Sequence, residues 1–120
     1  MSHLRTFKAI DNYIKRHGGL TLEIPSCNIV SRKTGYFVSL AGGQIVTGEH
    51  WNVDKLSDFI VDNLDILSRG HFLGLWCNND LICLDLTVWI RGKKNAINFG
   101  LRNCQEAIYN CKTGKAEEIF

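Results

Sequence analysis

The stretch Leu81 to Ile90 constrains this chain more than any other: eight of its ten residues are apolar, interrupted only by Asp85 and Thr87. Side chains alternate between the two faces of a strand. Ile82, Leu84, Leu86, Val88 and Ile90 therefore share one face, and Leu81, Cys83, Asp85, Thr87 and Trp89 the other. Apolar residues on both faces predict a central position in the sheet. Before it, His71 to Cys77 has strand composition and Asn78-Asn79-Asp80 is a turn cluster, so the two strands are expected to be antiparallel neighbours.

The clearest helix follows Asn52, a good N-cap, with Val53, Leu56, Phe59, Ile60, Leu64 and Leu67 in the i, i+3, i+4, i+7 rhythm of a core-facing side. Its outward side is acidic, carrying Asp54, Asp58, Asp62 and Asp65. An earlier basic helix is predicted from Ser2, with Leu4, Phe7, Ile10 and Ile14 near one face, ending at Gly18-Gly19. Leu20 to Ser31, with the only proline at Pro25, predicts a short strand or an irregular connection. Gly35 to Ala41 and Gln44 to Thr47 predict a hairpin about Gly42-Gly43. Lys94 to Glu106 predicts a third helix despite Gly100, whose presence costs about 1 kcal/mol of propensity. Ala107 to Cys111 predicts a strand, Lys112-Thr113-Gly114-Lys115 a turn, and Ala116 to Phe120 a terminal strand or tail.

At 120 residues the chain can bury one core without staples. Hairpins with helices between them predict an α+β domain over residues 1–120: a single, mostly antiparallel β-sheet packed by about three α-helices. No run approaches the roughly 18 apolar residues of a membrane span, and the start lacks the apolar core of a signal peptide. A soluble cytoplasmic protein, with no membrane partner, is the expectation. Five cysteines, an odd number, then point to reduced thiols.

Net charge is +2, unevenly spread. Residues 1–17 hold four basic groups against one acid, residues 49–85 seven acids against two bases, and residues 86–120 six bases against three acids. Such polarity steers a partner or a second copy of the chain. It excludes a strict DNA mimic, which needs a large acidic excess.

Few residues arrange themselves for chemistry. Gly42-Gly43-Gln44 spells the tripeptide of peptide release factors, but between apolar strands it reads as a turn. The cysteine spacings lack a C-x2-C pair and the four histidines lack an i, i+4 pair, so no metal is expected. No serine elbow, phosphate-cradling loop or dinucleotide fingerprint is present, and no cofactor is expected. The one nucleophilic route is a thiol beside an imidazole, His71 meeting Cys77 or Cys83 across the hairpin. Asp85, a carboxylate inside an apolar strand, needs a partner or an open face. Arg91, Lys93 and Lys94 lie beside a predicted helix N-terminus, where amides favour anions, and Arg102 follows on that helix. With Trp51 as an aromatic anchor and Asp54, Asp58 and Asp62 as an acidic row, these are the candidate contact residues; Trp76 and Trp89 are further large amphipathic anchors.

A set of landmarks adds to this reading: Gly35-Tyr36-Phe37-Val38, the helix from Asn52, Gly74-Leu75-Trp76, Leu84-Asp85-Leu86, and above all Asn103-Cys104-Gln105-Glu106-Ala107-Ile108-Tyr109 with Thr113-Gly114 and Glu117-Glu118-Ile119. Their order over residues 35–120 resembles small bacteriophage and mobile-element accessory proteins. Asn110 stands where that pattern has aspartate. The resemblance implies a non-enzymatic phage protein that binds and modulates a host protein or complex, including a bacterial defence system such as CRISPR-Cas. A nucleic-acid or nucleotide-binding module using Arg91, Lys93, Lys94 and Arg102 is the first alternative, and a small thiol-dependent enzyme the second.

Overall fold

The computed structural model describes residues 6–41, 45–47, 51–78 and 81–120. Among these, helix α1 (Phe7–His17) leads into strands β1 (Gly19–Glu23), β2 (Asn28–Ile29), β3 (Tyr36–Ser39) and β4 (Ile45–Val46). Helices α2 (Val53–Asp62) and α3 (Leu64–Leu67) follow, then β5 (Phe72–Asn78), β6 (Leu81–Ile90), α4 (Lys93–Arg102), β7 (Ala107–Asn110) and β8 (Lys115–Glu118). All eight strands belong to one sheet, ordered β2-β1-β5-β6-β3-β7-β8, with β4 also on β6. Every pairing is antiparallel. The chain is an α+β fold, as the alternation of hairpins and helices predicts.

The sheet grows around β6. Its residues Leu81 to Thr87 pair along one edge with the whole of β5, from Phe72 opposite Thr87 to Asn78 opposite Leu81. The other edge is shared: β3 takes the end from Thr87 to Ile90, and β4 takes Cys83 and Leu84. This corrects the expected hairpin of residues 35–47. β3 and β4 face β6 in succession instead of each other, because a strand this long offers both of them ladder partners. The Gly42-Gly43-Gln44 turn lies outside the described residues.

One face of the sheet carries the helices. Ile82, Leu84 and Leu86 of β6, Leu73 and Leu75 of β5 and Leu20 and Leu22 of β1 pack with Ile10 and Ile14 of α1, Leu56 and Phe59 of α2 and Leu67 of α3. A second cluster on the same face joins Val38 and Ile108 to Ala96 of α4, flanked by Val88 and Ile90. The even-numbered residues of β6 are thus the helix-facing set that its alternation assigns.

Local chemistry sets the helix ends. The described part of α1 begins at Phe7, where the Thr6 hydroxyl accepts from the Ala9 amide, and not at Ser2; residues 1–5 lie outside the described residues. Gly18 ends it in the left-handed conformation that glycine adopts most cheaply. Asn52 caps α2 through the Lys55 amide, as expected. The expected single helix of residues 53–67 is broken at Asn63, whose side-chain amide donates to the Phe59 carbonyl at 2.8 Å. After that break Leu64 is exposed, as is Val53 at the start, so two of the residues assigned to the core lie on the surface. Of the two readings of residues 20–31 the strand holds, as β1 and β2 pair there with Leu22 opposite Ile29. The third helix runs Lys93–Arg102, shorter than Lys94 to Glu106, since the Asn103 side chain donates to the Phe99 carbonyl and Cys104 turns to positive φ.

Candidate functional site

No described helix packs over the opposite face of the sheet. Register places Gly19 and Thr21 of β1, Phe72, Gly74 and Trp76 of β5, Cys83, Asp85, Thr87 and Trp89 of β6, Phe37 and Ser39 of β3 and Tyr109 of β7 on it. This face is concave. β5 and β7 are separated by β6 and β3, which at about 4.8 Å per strand places them roughly 14 Å apart on a flat sheet. Yet the Trp76 and Tyr109 rings approach to 5.8 Å, so the sheet rolls inward and brings the side chains of β5 and β7 together.

Small residues let the large ones lie down. A Cβ on Gly19 would come within 2.6 Å of the Trp76 ring, so only a glycine lets the indole lie across β1. A Cβ on Gly74 would overlap the Asp85 carboxylate in the same way. Phe37 completes the aromatic floor, 6.2 Å from Tyr109 in a stacked arrangement and 6.5 Å from Phe72 edge-on. Trp76, Phe37 and Tyr109 line two hollows. One, of about 190 Å³, is lined also by Ser39, Thr87 and Ala116. The other, about 530 Å³, opens between the end of α1 and residues 29–32, with Tyr13, His17 and Arg32 among its lining.

Asp85 sits under this floor, 3% exposed. The Ser39 hydroxyl donates to one carboxylate oxygen at 3.0 Å and the Thr87 hydroxyl to the other at 2.7 Å. Burial nevertheless dominates and pushes the Asp85 pKa above its ordinary value, against the hydroxyls and the Trp76 indole, which pull it down. Arg32 is exposed, and its guanidinium lies 5.7 Å from the centre of the Trp89 ring and 6.0 Å from that of Phe72, within cation–π range. It pairs with no carboxylate among the described residues.

The candidate contact residues do not converge. Asp54, Asp58 and Asp62 are exposed on α2, in the helical layer, whereas Asp85 lies on the concave face. Arg91, Lys93 and Lys94 are exposed around the start of α4, and Lys93 approaches Glu117 at 3.7 Å. Arg102 lies in the last turn of this ten-residue helix, about 15 Å from the first. Trp51 is occupied within the fold: its indole donates to Asp11 at 2.9 Å and its ring lies 4.9 Å from Phe7. The block from Asn103 to Tyr109 joins α4 to β7 and supplies the first three residues of that strand. The Asn103 side-chain oxygen accepts from the Ala41 amide, and the Gln105 side chain donates to the Asn103 main-chain carbonyl.

The residues that do converge, Tyr13, His17, Arg32, Phe37, Trp76 and Tyr109, include only one of the sequence's candidate anchors, Trp76. The available signal was the second face of β6, where Asp85 and Thr87 interrupt an otherwise apolar strand. His71 and the thiols lie at opposite ends of the β5–β6 hairpin: Phe72 faces Thr87 while Trp76 faces Cys83. Five or six residues of strand place them roughly 17–20 Å apart, which removes the expected thiol–imidazole pair. Among the described residues no group of three His, Cys, Asp or Glu side chains could hold a metal ion, and no helix is long and apolar enough to cross a membrane. No family model, curated protein or solved structure matches the chain.

Proposed function

We propose that this chain is a non-enzymatic phage accessory protein that engages a host macromolecule with the concave face of its sheet. The observation that carries the binding part is the open hollow of about 530 Å³ bordered by Trp76, Tyr109 and Phe37. Solvated sheet faces carry mostly polar side chains, whereas concave surfaces rich in aromatics with a few polar groups are the usual form of a ligand site. The phage origin, and a host defence system such as CRISPR-Cas as target, rest on the resemblance over residues 35–120.

Binding is favoured over thiol chemistry by the cysteines themselves. Burial pushes the Cys83 thiol up, with Asp85 and Cys77 adding to it. Burial also raises Cys111 although Arg32 pulls the other way. Nucleophilic cysteines need the opposite shift.

The test is capture from bacterial lysate by tagged protein, analysing bound protein and nucleic acid together and comparing wild type with Tyr13→Ala and Arg32→Gln. A target enriched by wild type and depleted by both rim variants is expected. Equal recovery by all three proteins, or nothing above background, overturns the reading.

A further inference from the structure

Resting on the concave face as a binding site, we infer that its ligand is a nucleoside phosphate: the base seats against Trp76 and Tyr109, and the phosphate meets Arg32 and His17. The charge of the lining comes first. The chain has 12 acids, yet none of the described ones lines the 530 Å³ hollow, while Arg32 and His17 both do. A hollow bordered by unopposed N–H donors and no carboxylate selects an anion. Arg32 is suited to it, being free of an acidic partner among the described residues and held over Trp89 and Phe72 with its planar fork available to paired phosphate oxygens.

The walls select a flat ring. Trp76 and Tyr109 stand 5.8 Å apart and inclined by 49°, and across the hollow Tyr13 and His17 form a second ring pair at 4.2 Å. Base stacking on such side chains tolerates any base, since each has a π face. Thr21 and Ser31 add hydroxyls suited to a sugar. The volume is that of a small-molecule site, within the range of about 300–1,000 Å³. An acidic peptide would use Arg32 but leave four rings with no planar group to cover.

The chemistry has two sources, a free nucleotide or a stretch of single-stranded nucleic acid, and calorimetric titration separates them. Adenosine monophosphate binding as tightly as a short single-stranded DNA or RNA oligonucleotide identifies the free nucleotide. Much tighter, salt-dependent oligonucleotide binding identifies the strand. In either case Arg32→Gln weakens binding by about tenfold or more, the scale of a charge-assisted hydrogen bond, while Lys33→Gln next to it changes little. Equal losses in the two variants, or a loss with Lys94→Gln and not with Arg32→Gln, overturn the assignment. The dye anilinonaphthalene sulfonate, a flat anion that is no nucleotide, separates the two levels. Arg32-dependent dye binding without nucleotide or oligonucleotide binding overturns the ligand class and leaves the concave site standing. If none of the three binds, both fall. Thermal unfolding of each variant confirms that the fold is intact.

Discussion

At the scale of single residues, Asp85 has a definite pH signature. Burial raises its pKa from the ordinary 3.8, so the folded state holds the proton more tightly than the unfolded chain does. Its contribution to stability is complete below that ordinary value and is lost as pH rises through the folded pKa. Asp85→Asn, which keeps the shape and removes the charge, is therefore expected to be more stable than wild type at neutral pH, by about 1 kcal/mol or more, and to converge with it in acid. Urea unfolding across pH measures the gap; a gap that widens in acid contradicts the assigned sign. Asn110 offers a second test. Its side-chain oxygen accepts from the Lys112 and Thr113 amides, as an aspartate also would, but its nitrogen donates to Glu117 at 2.8 Å. Asn110→Asp, which introduces an acid at this position, sets two carboxylates against each other and is expected to cost about 1–2 kcal/mol at neutral pH. Glu117→Gln in the same chain should recover most of it, and no recovery would assign the cost elsewhere.

At the scale of elements, α4 shows where packing overrides propensity. Gly100 lies in its interior, and Ala there ordinarily gains about 1 kcal/mol. Here a Cβ would stand 2.6 Å from Ile119 Cδ1 and 3.3 Å from Ile108 Cγ2, so the helix lies close on the sheet because the residue is glycine. Gly100→Ala is expected to destabilise, and Ile119→Val, which removes the nearer atom, to restore part of the loss. A double-mutant cycle should return a coupling of about 0.5 kcal/mol or more, and strict additivity would refute the contact. The same competition decides which elements were legible. β6 was, because ten residues of alternation leave one arrangement, and α1 and α4 were to within a few residues, their ends being set by caps. The break in the 53–67 helix was not, since Asn63 fits a helical pattern until its side chain takes a main-chain carbonyl. The 35–47 hairpin was misassigned because adjacent strands with a glycine turn satisfy each other in sequence, while the free edge of β6 that draws them apart exists only in three dimensions. For the site, alternation exposed Asp85, but Arg32, Tyr13 and His17 come from elements that only the rolled sheet brings together.

Across the whole molecule, the helix-facing side divides into two apolar clusters, a large one uniting α1, α2, α3, β1, β5 and β6 and a small one holding α4 to β3 and β7. The concave hollow spans that division: Trp76 belongs to a strand of the large cluster and Tyr109 to a strand of the small one. Local opening follows the smaller buried core. Amide hydrogen exchange is thus expected to be slowest in β5 and β6, near the rate of global unfolding, and faster in β7 and β8, whose far edge is unpaired. A ligand seated against both Trp76 and Tyr109 then has one wall to immobilise. Its binding should slow exchange in β7 and β8 while leaving β5 and β6 almost unchanged until global unfolding itself is slowed. Uniform protection of every strand from the first additions of ligand would mean that the two walls already move as one body, and that the roll of the sheet is fixed before anything enters it.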